Sequence, residues 1–391
     1  MPNKLLDMIF GRPTVVVVDI GSTSVKLMEC QAEGDRVVAT RVGMAPTPPG
    51  ALVNGAVVDP IILGDVIREL LHSTGSRAEL AACAITDPSL VATRLQIPRR
   101  DPVTLARAMP FEARPHVPFG LEEGEIAWQI LDPARDDPQM NVLLVAARNE
   151  AVDGRLQALE AAGLTPVVME PAQCSVLRAL VYASTDPGVF EETLLLLHIG
   201  AAFTEMTVVW RGCFAFPRVI PIAGHSMDQA LMSVFSVDAE EARRIKESRA
   251  VACAREEADS LPEEQRQVSL AIAPVLEEIV RDAQTSLNFL ASSFQWTGGG
   301  IEAGRVLVSG GVSRLPRLAD YLRAHLGTEV MVADVFRDAR MEAPGYDAGF
   351  IQDLSPYLTV AAGLALREPM QSGSYRMAGQ AESQPLPAMT G

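Results

Sequence analysis

The sequence predicts an α/β protein of two lobes, each opening on a β-hairpin suited to phosphate, with a small α/β subdomain inserted into the first lobe. Three stretches carry that expectation. Val15 to Cys30, VVVVDIGSTSVKLMEC, runs four β-branched residues into Asp19, then Gly21-Ser22-Thr23-Ser24, then a second β-rich run. That is strand, tight turn, strand. Leu194 to Val209, LLLLHIGAAFTEMTVV, repeats the design about 180 residues further on, as a duplicated two-lobed chain would. Val306 to Ser313, VLVSGGVS, is a buried-type strand running into a double glycine and then a helix.

Taken alone, the first stretch has two readings: an ordinary hairpin with an Asp at its turn, or a phosphate cradle. Gly21 tolerates φ > 0, and the short side chains after it let backbone N–H groups approach an anion. Asp19 at the strand end is placed to hold a hydrated Mg²⁺.

Composition narrows the class. A chain of 391 residues is long enough for two lobes, and 48% hydrophobic with 21% charged residues is a globular balance. The net charge of −16 without a basic stripe argues against nucleic acid. Cys30, Cys83, Cys174, Cys213 and Cys253 are far apart and form no CxxC, so they read as reduced thiols of a cytoplasmic protein. No run of about 18 apolar residues exists, so no direct membrane span is expected.

In chain order, residues 1–13 form an arm whose Leu5, Leu6, Ile9 and Phe10 make one apolar face, packed on the body or meeting a membrane or partner. Residues 14–92 form the first part of the first-lobe core. They hold the hairpin, a third strand over Arg36 to Val42, a helix capped by Asp59 with Pro60 at its first position, and a strand over Leu80 to Thr86. In that helix Ile62, Val66, Leu70 and Leu71 are expected inward. Residues 93–163 change texture and read as the inserted subdomain: a helix-sized segment broken by prolines, two strands (Ile126 to Leu131, Asn141 to Ala147) and a helix over Ala151 to Ala162. Residues 164–192 complete the first-lobe core. The second lobe is expected over 193–368, with a helical, charged subdomain at about 226–300; residues 369–391 read as a disordered tail. Aspartate 334 to Pro356 reads as a loop before a final helix, Tyr357 to Arg367.

Two phosphate-type hairpins and a late strand-GG-helix, in this order, resemble the actin, heat-shock chaperone and sugar-kinase superfamily, whose hairpins clamp the phosphates of ATP from opposite lobes. A narrower resemblance follows. Pro110-Phe111-Glu112-Ala113 with Val117-Pro118-Phe119, then AAGLTP (161–166) with Met169-Glu170-Pro171, then SGGVSRLPRLADYLRAHLG and LSPYLTVAAGLALR, are similar to the landmarks of the PilM family of type IV pilus assembly. The match covers most of residues 14–367. The inserted pattern also resembles that of the division protein FtsA, but the tail here lacks FtsA's amphipathic targeting helix.

The resemblance implies an actin-like fold, binding of ATP with Mg²⁺, and docking of the cytoplasmic tail of a PilN-like inner-membrane protein in a groove between first-lobe subdomains. Other pilus platform proteins or a motor ATPase are implied as further partners, and the location as cytoplasmic, peripheral to the inner membrane. Carried over by motif, the nucleotide contacts are Asp19, Gly21, Ser22, Thr23, Ser24, Gly200, Ala201, Gly310, Gly311 and Val312, with Lys246 near the nucleoside and Asp19 on Mg²⁺ through bound water. Two departures stand out. The second hairpin reads His198-Ile199-Gly200 in place of Asp-Ile-Gly, and Arg243 stands where an acid normally precedes Lys246. His198 is either a core-edge histidine or a catalytic one. Glu205 is either a replacement acid or points to solvent. The loss of a carboxylate at 198 leads to an expectation of at most slow hydrolysis. Two other classes compete with the adaptor: a polymerising FtsA-like protein, and a small-molecule kinase.

Overall fold

The computed structural model describes residues 14–33, 36–131, 138–210, 212–293 and 303–367. The arm at 1–13, the tail at 369–391 and the expected helix stop at Gly298 to Gly300 lie outside these.

The first lobe begins with β1 (Val15–Ile20), β2 (Ser24–Glu33) and β3 (Arg36–Pro46), an antiparallel meander. A short hairpin follows, β4 (Leu52–Val53) and β5 (Ala56–Val57), then α1 (Pro60–Thr74) and β6 (Leu80–Ile85), which lies parallel to β1. As the sequence indicates, Asp59 caps α1, its Oδ1 accepting from Ile62 N at 3.1 Å, and Gly75 ends it in the left-handed region. The buried residues are Leu63, Ile67 and Leu70; of the expected set Leu70 is buried, Val66 and Leu71 pack half-buried against the same core, and Ile62 is exposed. The apolar run supplies two possible faces, and packing against α3 chooses between them.

The inserted subdomain contains β7 (Val91–Pro98), α2 (Pro102–Ala113), β8 (Gly124–Ile130) and β9 (Gln139–Arg148). Its three strands pair in the order β7-β9-β8. Pro110 lies inside α2 rather than breaking it; it sits on the exposed side, where the i−4 carbonyl it cannot bond is open to water. Leu105, Met109 and Ala113, four residues apart on one face, are buried against Val142 and Leu144, giving this unit its own core. The next helix, α3 (Asn149–Ala161), packs through Ala158 and Leu159 into the first-lobe core beside Leu63 and Ile67. The chain returns by β10 (Thr165–Pro171), parallel to β6, and α4 (Ala172–Leu177), whose end widens into a π turn over Arg178–Tyr182.

The second lobe repeats the meander with β11 (Thr193–Ile199), β12 (Thr204–Trp210) and β13 (Cys213–Ile220). Then come α5 (Gly224–Phe235), α6 (Ala239–Arg249) and α7 (Glu263–Ser293). β14 (Arg305–Ser309) lies parallel to β11, and α8 (Leu318–Leu326) leads to β15 (Glu329–Val332). The stretch expected as a loop holds two further elements, β16 (Met341–Glu342) and α9 (Ala348–Leu354), before α10 (Thr359–Ala365). β16 pairs with β3, so the expected second-lobe span contains a strand of the first-lobe sheet, whose order is β10-β6-β1-β2-β3-β16.

Alternation in β1 sorts its faces. Val16, Val18 and Ile20 enter the core with α1 and α3; Val17 enters a core shared with Leu194, Leu196 and Val209 of the second lobe, where α4 and α10 also pack. Continuing along that shared face, β1 reaches Asp19 and β11 reaches His198 at the strand ends.

Candidate functional site

A cleft of about 620 Å³ opens where the two strand ends meet. All eleven residues expected at the nucleotide line it: Asp19, Gly21, Ser22, Thr23 and Ser24 from the first hairpin, Gly200 and Ala201 from the second, Lys246 from α6, and Gly310, Gly311 and Val312 from the turn after β14. Each turn is tied down. Gly21 N donates to Ser24 O at 3.1 Å, and the Thr47 hydroxyl donates to Gly21 O at 2.6 Å. The second hairpin is fastened to the start of α5: Gly224 N donates to Gly200 O at 3.2 Å and His225 N to Ala201 O at 2.7 Å. Gly310 has φ 88° and lies so close to β11 that a Cβ would sit 2.4 Å from Ile199 O, so only glycine fits there.

The charges are arranged pairwise. Lys26 Nζ lies 3.1 Å from Asp19 Oδ2, across the β1–β2 register. Lys246 Nζ lies 2.6 Å from Asp228 Oδ1 and donates to Gly224 O at 3.1 Å. Arg243 therefore does not leave Lys246 without an acid; a buried carboxylate on α5 supplies it. His198 Nδ1 is 2.9 Å from Ser309 Oγ, and burial holds the imidazole down to about 4, against the pull of Asp19, so it is neutral at pH 7.

Glu205 does not point to solvent. It is 3% exposed, lines the cleft beside Thr86, and stands opposite His198 in the β11–β12 register. Burial pushes its carboxyl up to about 8; the nearby Thr86 hydroxyl works against that rise and the charge of Asp19 adds to it. Neither oxygen has a hydrogen bond of ordinary geometry among the described residues. Arg155 is also buried at the cleft wall, its guanidinium donating to the carbonyls of Ala151 (2.9 Å), Gly55 (3.0 Å) and Thr86 (3.2 Å), which holds the β4–β5 hairpin and the end of β6 on α3.

Sequence reasoning missed Lys26, Asp228 and Arg155. Lys26 was legible: a tight turn after Ile20 sets Asp19 and Lys26 opposite each other. Asp228 and Arg155 depend on which helices pack together, and nothing local announces them. Among the described residues no group of three or more His, Cys, Asp or Glu is arranged to hold a metal. Mg²⁺ that arrives with a nucleotide ordinarily takes one or two carboxylates and completes its shell with phosphate oxygens and water. Asp19, with an orphaned buried carboxyl group in Glu205 near it, fits that donor set.

A second cavity of about 480 Å³ lies where β7 of the inserted sheet approaches β13. Both are edge strands. Leu90, Val91, Ala92, Ala215, Pro217 and Val219 supply apolar walls, and Arg94 and Arg218 the charges; no acid lines it. Gln173 from α4 lines this cavity, 2% exposed, its Oε1 without a hydrogen-bond partner. Among the described residues, no helix is long and apolar enough to cross a membrane.

Comparison with known proteins agrees with this architecture. A chain of the solved "PilM-PilN type IV pilus biogenesis complex" is 26% identical, with a TM-score of 0.77 over 90% of this chain and 98% of that one. The ethanolamine utilization protein EutJ from Carboxydothermus hydrogenoformans, 18% identical with a TM-score of 0.52 over 91% of this chain and 90% of its own, shares the fold. The family model for type IV pilus assembly protein PilM matches residues 17–369. With the two hairpins, the inserted sheet and the interlobe cleft in place, the chain belongs to the PilM family of type IV pilus assembly proteins, on the actin-like two-lobed fold.

Proposed function

We propose that this protein is a nucleotide-binding adaptor of type IV pilus assembly, which holds ATP with Mg²⁺ between its lobes and docks the cytoplasmic tail of a PilN-like inner-membrane protein. It works at the cytoplasmic face of the inner membrane through that partner, with other platform proteins or the motor ATPase as further contacts. The observation that carries the nucleotide reading is convergence: eleven residues from four separate segments of the sequence line one cleft. Its small-residue turns leave room for phosphates, and Lys246 with Asp228 offers hydrogen bonds to a ribose. Bound nucleotide acts as a lobe clamp, favouring the closed form by its differential affinity for it.

For the tail, support comes from the cavity between β7 and β13, which lies between the inserted sheet and the second lobe and not, as the resemblance implies, between first-lobe subdomains. Two sheet edges, apolar walls and the unpartnered Gln173 suit an extended segment that adds as a strand and fills pockets with alternate side chains. The cavity's own charges are positive, so the acidic balance of the whole chain does not select a basic ligand there; apolar side chains and backbone do the selecting.

Turnover is expected to be slow. Phosphoryl transfer depends on positioning and charge stabilisation, and His198 is neutral and hydrogen-bonded to Ser309 where a carboxylate would help orient water. Isothermal titration with ATP tests the cleft: Lys246→Ala and Asp19→Asn each weaken binding by roughly tenfold or more, in line with the loss of a charge-assisted contact. Equal affinity in wild type and both variants would remove the site assignment. Fast steady-state hydrolysis by the wild type would remove the expectation of slow turnover.

A further inference from the structure

The two hairpins each carry one polar pair at matching places. In the first, Asp19 on β1 faces Lys26 on β2. In the second, His198 on β11 faces Glu205 on β12. The order is reversed: acid then base in one, base then acid in the other. Directly opposed residues of an antiparallel pair project from the same face, and Asp19, His198 and Glu205 all line the cleft. His198 is already engaged with Ser309 Oγ. Glu205 is 3% exposed, and neither of its oxygens has a hydrogen bond of ordinary geometry among the described residues, the Thr86 hydroxyl being its hydroxyl neighbour. Thr86 and Asp19 are the polar neighbours whose influence on it is felt, and neither is a cation. A carboxylate withdrawn from water without a counter-charge is costly, and an arriving cation removes that cost.

We infer that Glu205 supplies the second hairpin's carboxylate to the divalent cation that accompanies a bound nucleotide, taking over from β12 the part that His198 cannot play on β11. The inference rests on the nucleotide reading of the cleft and concerns the cation, not turnover. A hard cation prefers oxygen, so a neutral imidazole at 198 is a poor substitute, whereas an acid on the neighbouring strand and the same face is a direct one. Asp19 and Glu205 would then contribute one carboxylate from each lobe, linking lobe closure to the cation.

The test uses the full chain and a non-hydrolysable ATP analogue, titrated with Mg²⁺ and with EDTA; the readout is the ratio of the two affinities. Mn²⁺ electron paramagnetic resonance in the presence of the analogue gives an independent count of bound metal. In wild type, Mg²⁺ tightens binding. In Glu205→Gln that tightening falls by roughly 10- to 100-fold, the usual effect of removing a supporting metal contact. Glu205→Asp keeps most of it, and Glu205→Gln combined with His198→Asp regains it, because the acid returns to the opposite strand. Thermal melts accompany each variant, and if Glu205→Gln does not fold, the Glu205→Asp and double-variant comparisons decide. A folded Glu205→Gln with the wild-type Mg²⁺ ratio would overturn the inference and leave the cleft standing; so would a folded double variant that regains nothing. Wild type that binds no nucleotide at all would overturn the nucleotide reading itself.

Discussion

Glu205 and His198 stand opposite each other, and burial moves them in opposite directions: the acid up to about 8, the imidazole down to about 4. Both shifts destabilise the metal-free fold, one as pH rises and the other as it falls. An unfolded chain ionises its Glu near 4.5 while the folded one retains the proton, so the stability Glu205 lends is full below about 4.5 and is lost as pH rises to about 8. Unfolded His protonates near 6.5 while folded His198 refuses the proton, so stability is lost as pH falls from about 6.5 to about 4. In EDTA, the unfolding free energy of Glu205→Gln from urea titration should match wild type at about pH 5 and exceed it by a few kcal/mol at about pH 8.5. The same difference at both pH values would mean that Glu205 is solvated.

Among the elements, the meeting of α4 and α10 sets the geometry between the lobes. A Cβ on Gly363 would lie 1.9 Å from Ser175 O, which is backbone and cannot turn aside. The contact is reinforced by Arg178, which donates to Gly363 O at 2.7 Å and pairs with Glu170 at 2.6 Å. Gly363→Ala should force the helices apart and cost about 3 kcal/mol, the upper part of the range for overpacking. Chemical denaturation of that variant checks this, and a cost below about 0.5 kcal/mol would mean the helices separate freely. The neighbouring Gly311 is tight for a related reason: its Cβ would meet the Tyr357 ring at 3.0 Å, so a side chain there disturbs packing as well as the cleft. Lys246 and Asp19 are therefore cleaner probes of nucleotide than the double glycine.

At the scale of the whole molecule, the inserted sheet is separable from the first lobe only in part. Its core of Leu95, Leu105, Met109 and Leu144 is its own, but α3 belongs to the first-lobe core through Ala158 and Leu159. Removing 94–162 as a block would unfold the lobe and test nothing about a partner. A bulky residue in the β7–β13 cavity is the sharper experiment. Thr93→Trp should reduce binding of a PilN-like tail peptide by more than about tenfold in fluorescence anisotropy, with ATP affinity unchanged. Unaltered peptide binding would place the tail elsewhere on the protein.

Much of this was legible one strand or one cap at a time. Four β-branched residues before Asp19, the repeat at Leu194, the double glycine after Ser309 and the Asp59-Pro60 start of α1 are local signals, because strand alternation, turn glycines and caps are properties of neighbouring residues. They sufficed for two lobes that each open on a hairpin; the eleven residues expected at the nucleotide came from the family resemblance, and packing brings them to one cleft. What stayed hidden needed contacts between segments far apart in the chain. β16 is two residues long and exists only because β3 offers an edge. The inward face of α1 was ambiguous until α3 packed on it. Asp228 met Lys246 through the packing of α5 on α6, and Glu205, equally able to face water or cleft by alternation alone, was turned inward by the closing of the second lobe on the first. The sequence thus determined which elements form and which residues their turns present; tertiary packing alone decided which polar groups lost their water, since burial is a property of the assembled lobes and not of any single strand.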